Sequence, residues 1–281
     1  MLGAVAQSIA LTAHGNAFLQ KSGAVASPAF YPWNSTFRFC ADVRFVDVTI
    51  TGSSREETAW APDPMAWFDR LAKEGTYALR LRYGAVGGGT VGSYQVPERM
   101  LAGFAGGGGR WLIEVIGPRG SDYWEARWEV ADRSRADGKI WRVTYERVAR
   151  DEVTQEAGRD DLENLKHRLE TALLEIQGYA SAHRLNNFAA IFAESRSQLS
   201  AEAPGKDVDH CDLALNGQLG LTARQVLAAA QLSWVFGGMG SWNDTAHDQS
   251  DKEYERLSEE LFALLNRAYV AVANATAQVA Q

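Results

Sequence analysis

The chain has 281 residues, 46% hydrophobic and 22% charged, so it is long enough to bury a substantial core and is not composed like a disordered segment. Its formal net charge of −7 is unevenly spread: residues 1–157 carry 18 basic against 18 acidic side chains, residues 158–281 carry 10 against 17. That balance excludes a general nucleic-acid footprint, which needs concentrated positive charge.

The charge break marks two regions, a β-rich one over 1–157 and an acidic helical one over 158–281, expected to pack together as one compact unit. Cys40 and Cys211 are too few for a disulfide framework and are expected to be reduced. No apolar run has the length of a membrane-spanning helix, and Met1–Ala10 lacks a basic leader segment. These features read as a cytoplasmic protein without membrane contact.

The first residues read as a helix or strand, and His14-Gly15-Asn16 as a turn or helix stop. Thr36 to Ile50 is rich in aromatic and β-branched residues and predicts a long strand, broken once near Ala41-Asp42. Thr51 to Ala61 reads as a loop. Asp63-Pro64 then opens a short helix through Met65, Trp67, Phe68 and Leu71, which Gly75 ends. Tyr77, Leu79, Leu81 and Tyr83 alternate with Ala78, Arg80 and Arg82, the period of a strand with one wet face.

Ten of the 26 glycines fall between Gly84 and Gly109. The second cluster leads into a strand, Arg110–Ile116, rather than a helix that could hold a phosphate, so flexible loops are expected. Next, Trp124, Ala126, Trp128 and Val130 share a strand face, Asp137-Gly138 supplies a turn, and Trp141, Val143 and Tyr145 line the return strand. This predicts an antiparallel hairpin with an aromatic face. Its arginines are interleaved with acids, which predicts cross-strand ion pairs on a solvated face rather than an RNA-binding surface.

After Asp151 the period becomes helical. Leu162, Leu165, Leu169, Leu173 and Ile176 draw a first helix, with Asp160, Asp161 and Glu163 near its start, and a break near His183 precedes a second through Leu185, Phe188 and Phe192. Ala201 to Gly220 is a polar linker. Thr222 with Gln225 and Ser250 with Glu253 form capping-box patterns for the last two helices. The fold class is therefore α+β: a mainly antiparallel sheet in the N-terminal half, then an α-helical bundle or layer in the C-terminal half.

Between those last helices, Gly237, Gly238 and Gly240 interrupt an apolar stretch carrying Trp234, Met239 and Trp242. One reading is a helix C-cap whose three large side chains plug the core. The other is the floor of a ligand or partner pocket that also uses Ser241. Asp207, Asp209 and His210, next to Cys211, have the atoms of a metal site. Ser241, Asp244 and His247 have the residue types of a hydrolase triad but not the G-x-S-x-G turn, so chance explains them better.

No cofactor motif occurs, and no cofactor is expected. The function read from the sequence is a protein-interaction or assembly module, such as an accessory subunit of a bacterial multiprotein system. It would bind a protein partner or a second copy through Trp234, Met239, Ser241 and Trp242, or through Trp124, Trp128 and Trp141. The alternative is a metal-assisted hydrolase built on the Asp207–Cys211 loop.

Overall fold

Alternation between apolar and charged residues in the first half builds one six-stranded sheet. The computed structural model describes residues 3–20, 30–52, 54–91, 94–104, 107–154, 161–206, 208–245 and 251–277. Helix α1 (Gly3–Gln20) is followed by β1 (Cys40–Thr51), β2 (Ser54–Ala61), α2 (Pro64–Lys73) and β3 (Ala78–Gly84). Two short strands, β4 (Gly89–Val91) and β5 (Tyr94–Val96), and the single-turn helix α3 (Glu98–Leu101) precede β6 (Arg110–Gly117), β7 (Gly120–Val130) and β8 (Trp141–Glu152). The second half is helical: α4 (Leu162–Ala182), α5 (Asn186–Ser200), α6 (Leu221–Leu232) and α7 (Lys252–Asn274).

The sheet order is β2-β1-β8-β7-β6-β3, and β4 pairs only with β5. Every neighbour in the large sheet is antiparallel except β1 and β8, which run parallel with Val43 beside Val143 and Phe45 beside Tyr145. The expected α+β class therefore holds, with a mixed sheet. The strand expected over Thr36 to Ile50 begins only at Cys40, after a 3-10 turn at Ser35–Phe37, and it is not broken near Ala41-Asp42, where only its register against β8 shifts between Cys40 and Asp42. On one face Phe45 stacks on Trp67 of α2 at 4.4 Å and on Tyr145 at 5.1 Å, and Trp124 meets Trp60 edge-on at 5.1 Å. Such paired rings add their geometry-dependent attraction to the burial of large apolar surfaces.

Three further local expectations are corrected. Thr51 to Ala61 is mostly strand β2, paired with β1 from Phe45↔Ala61 to Thr51↔Ser54. It is an edge strand, and the charges Arg55, Glu56 and Glu57 that made it look like a loop keep that edge wet. His14-Gly15-Asn16 lies inside α1, with no stop. A Cβ at Gly15 would collide with Leu79 Cδ1 and come within 2.9 Å of Phe68 Cε1, so glycine there permits α1 to cross β3 and α2 closely. The glycine-rich stretch carries β4, β5 and α3, and a Cβ at Gly107, for example, would collide with the Leu101 carbonyl.

Helix α1 is buried along nearly its whole length and packs against β3 and α7, so it belongs to both halves of the chain. Its Asn16 closes the free edge of β3: the amide donates to Leu79 O at 3.0 Å and accepts from Leu79 N at 2.7 Å. From α7, Asn274 does the same at Leu81, accepting at 2.7 Å and donating at 3.1 Å. Two side-chain amides thus stand in for a seventh strand.

In the helical half, α4 and α5 part at His183–Leu185, where Arg184 takes a left-handed φ of 60°. Asp161 caps α4 by accepting from Glu163 N and Asn164 N at 3.0 and 3.3 Å, whereas Asp160 lies outside the described residues. The two expected capping boxes are displaced. Gly220 precedes α6, Thr222 turns its hydroxyl to Glu163, and Gln225 bridges Lys166 and Ala201 O. Asp251 caps α7, one residue beyond Ser250, which is outside the described residues. Among the described residues, no helix is long and apolar enough to cross a membrane.

Candidate functional site

The glycine turn is built outward from a buried tryptophan. Helix α6 ends at Leu232 with Ser233, not glycine, as its cap. The chain then runs through Trp234–Phe236, turns at Gly237–Gly240 with Gly240 at φ 81°, and returns so that Trp242 N bonds Val235 O at 3.1 Å. The Trp242 ring sits among Tyr179, Phe188, Phe192 and Tyr254, and its Nε1 donates to Ser258 Oγ at 2.8 Å. Trp234 is half-buried against Phe236, Phe262 and Tyr269.

Trp242 plugs the core as one reading expected, but Met239 does not: at 102% relative exposure it stands free of the surface. The turn that brings Trp242 inward carries the residue between Gly238 and Gly240 outward. Ser241 Oγ donates to Gly237 O at 3.1 Å and Asp244 accepts from Gly240 N at 2.5 Å, so both side chains hold the turn. His247 lies outside the described residues.

A second glycine segment meets this turn. A Cβ on Gly103 would run into the Gly237–Gly238 peptide, with Gly237 O at 2.6 Å and Gly238 N at 2.8 Å, so the two backbones touch where neither has a side chain. Phe104 follows Gly103 and Met239 follows Gly238, and Phe104 is 64% exposed. Met100, on α3, adds a partly exposed side chain to the same segment.

Beneath them α3 is locked down by two consecutive buried charges. Arg99 donates from Nη1 to Asn243 Oδ1 at 2.9 Å, from Nη2 to Glu255 Oε2 at 2.6 Å and from Nε to Glu259 Oε1 at 3.0 Å. Glu98 accepts from Val86 N at 2.8 Å, Gly87 N at 3.1 Å and the Tyr83 hydroxyl. Burial holds the Glu259 carboxyl above its ordinary range although Arg99 draws it down. The base of the exposed patch is therefore held by charge-assisted bonds reaching back to α7.

The sheet tryptophans divide. Trp124 is wholly buried and offers no contact surface. Trp128 and Trp141 are half-buried, edge-on at 6.0 Å, with exposed Phe39 and Val130 beside the end of the hairpin. Five of the hairpin arginines are paired: Arg127 with Glu146, Glu129 and Glu57, Arg135 with Asp137, Arg142 with Asp42, Arg147 with Asp47 and Asp122, Arg150 with Asp47.

Of the expected metal ligands, Asp207 lies outside the described residues, Asp209 is exposed, and His210 turns its Nδ1 to Ser35 Oγ at 2.7 Å. His210 holds a left-handed φ of 57°, uncommon for a side chain of its size. Asp212 binds the same serine, accepting from Ser35 N at 2.7 Å and from the Ser35 hydroxyl. Asn34 Nδ2 donates to Asp212 O at 2.6 Å, and His14 Nε2 lies 3.0 Å from that oxygen.

Serine, histidine and aspartate thus meet, but the carboxylate grips the serine rather than orienting the imidazole, so the relay of a hydrolase triad is not assembled. Burial lowers the affinity of both imidazoles for protons, against the pull of Asp212. What the cluster does is fasten the loop after α5 to the first half of the chain. Among the described residues, no group of three or more His, Cys, Asp or Glu side chains could hold a metal ion. That Ser35 and Asn34 meet His210 and Asp212 was not legible in the sequence, because these contacts span 175–178 residues.

No family model, no curated protein and no solved structure matches the chain.

Proposed function

We propose that the protein is an interaction module that docks a protein partner through the joined glycine turns, as an accessory component of a larger assembly. The observation that carries this reading is the pair Met239 and Phe104, 102% and 64% exposed, on two chain segments whose backbones touch at Gly103 and Gly237. Exposed large apolar side chains on a firmly held base are what a docking surface requires, because little ordering is left to be done on binding. Methionine adds an adaptable, polarizable contact.

The internal pairing of the hairpin arginines turns the reading away from nucleic acid, since a phosphate backbone would have to displace carboxylates already in place. Trp234 and Trp242 then pack inward on either side of the turn, Trp124 belongs to the sheet core with Phe45, Trp60 and Trp67, and the Trp128–Trp141 edge is a separate apolar feature. Cys40 and Cys211, both free, suit a reducing compartment such as the cytoplasm.

The test is site-specific photocrosslinking in the source cell, with benzoylphenylalanine placed at 104, at 239 and, as control, at exposed Arg168 on α4. One defined adduct at 104 and 239 and none at 168, whether to a second copy or to another protein, is the expected result. No adduct, or the same adducts at 168, overturns the reading.

A further inference from the structure

A cavity of about 420 Å³ opens between α6 and the loop that connects it to α5, and none of the residues that line it belongs to the glycine turns. That size lies within the roughly 300–1,000 Å³ of small-molecule sites. Its inner wall is apolar and buried: Leu213 and Leu219 from the loop face Leu227 and Ala228 from α6. Exposed lining residues, Cys211, Asn216 and Arg224, mark its polar rim.

Arg224 is the only formally charged side chain among the described residues that line the cavity, and its guanidinium has no partner among the described residues. Unlike Arg196, which donates to Gln177, and Arg256, which pairs with Glu175, Arg224 carries its charge at an apolar cavity, in a helical half where acids outnumber bases 17 to 10. The spacing of 224, 227, 228 and 231 puts the cation and the apolar wall on one face of α6. The opposite wall is held open by the Ser35, His14 and Asn34 contacts to His210 and Asp212, and by Gln231 Nε2, which donates to Asp209 O at 2.6 Å.

We propose that this cavity binds an amphipathic monocarboxylate, its apolar chain among Leu213, Leu219 and Leu227 and its carboxylate on Arg224. A guanidinium fork matches a carboxylate in a two-point contact, and an unpaired cation at the rim of an apolar pocket selects an anion with a tail over a neutral or cationic chain of the same length. The site is distinct from the docking surface at Met239 and stands or falls without it.

The protein carries its own reporter. Cys211 is exposed on the cavity lining, whereas Cys40 is buried and its thiol is pushed up to about 11. The experiment measures the rate of Cys211 alkylation by N-ethylmaleimide in the full chain, read by intact mass, with sodium decanoate held below its micelle concentration.

Decanoate is expected to slow labelling at least fivefold at saturation, while decylamine leaves the rate unchanged and Arg224→Gln removes the protection. Arg224 is exposed on its helix, so this variant is expected to fold. Ala228→Leu, which fills the cavity from the α6 side, is expected to remove the protection as well. No slowing by decanoate, equal slowing by decylamine, or full protection in Arg224→Gln overturns the proposal.

Discussion

Replacing Asn16 by Ala tests whether two amides close the edge of the sheet. Asn16 is 1% exposed and makes three bonds, donating to Leu79 O and Thr276 Oγ1 and accepting from Leu79 N. At about 0.5–1.5 kcal/mol net per bond the loss is about 1.5–4.5 kcal/mol. The upper half of that range is expected, because Leu79 is fully buried and its N–H and C=O would be left without partners. Asn274→Ala removes two bonds rather than three at Leu81, from an asparagine that is itself half-buried, so its cost should be smaller, about 1–3 kcal/mol.

Urea unfolding followed by tryptophan fluorescence compares the two variants with the parent, the midpoint shifting and the slope staying constant. The expected order is Asn16→Ala below Asn274→Ala, and both below the parent. An Asn16→Ala protein within 1 kcal/mol of the parent, or less affected than Asn274→Ala, would refute the edge-closing role.

Other outcomes follow from the same contacts. Gly103→Ala places a methyl group against the Gly237–Gly238 backbone, which cannot rotate away, and should cost about 1–3 kcal/mol in thermal or denaturant unfolding and weaken crosslinking at 239. Trp242→Ala empties the centre of the helical half and should cost about 3–5 kcal/mol by the same measurement, whereas Met239→Ala should stay within about 0.5 kcal/mol of the parent.

The imidazoles of His14 and His210 are held below the usual 6.5, so the unfolded chain takes up their protons first as pH falls. Their contribution is complete above about 6.5 and is lost as pH drops through the folded-state values, at no more than ~1.4 kcal/mol per pH unit for each proton. Denaturant unfolding between pH 7.5 and 5.5 should show that decline in the parent and a flatter profile in a His14→Gln/His210→Gln protein. Equal slopes in the two would count against it.

What the sequence disclosed follows from how local the responsible physics is. Strand β3, the β7–β8 hairpin and helices α4, α5 and α7 are legible because apolar residues repeat at the period of the element that buries them. Strand β2 was not, because an edge strand can be polar along most of its length and takes its conformation from its neighbour. Helix α1 was misread at His14-Gly15-Asn16 because those residues answer to β3, α2 and Asp212, none of them near in sequence.

The same distinction governs the functional candidates. Trp242 and Met239 differ by three positions and by their entire exposure, a difference set by where the turn reverses rather than by hydrophobicity. The contact of Gly103 with Gly237, the grip of Asp212 on Ser35 and the empty wall of α6 are all products of tertiary structure. No count of residue types could rank them.

Helix α1 also sets a schedule. It leaves the ribosome ahead of β3, which covers one side of it, and far ahead of α7, which covers another and ends 254 residues after Gln20. At about 5–20 residues per second, that interval lasts roughly 13–50 s of translation. Throughout it a helix that the finished fold buries on nearly all sides is only partly covered, and β1 likewise waits about 90 residues for its parallel neighbour β8. A nascent chain stalled before α7 is therefore expected to be a client of chaperones that hold exposed helices, released when α7 emerges.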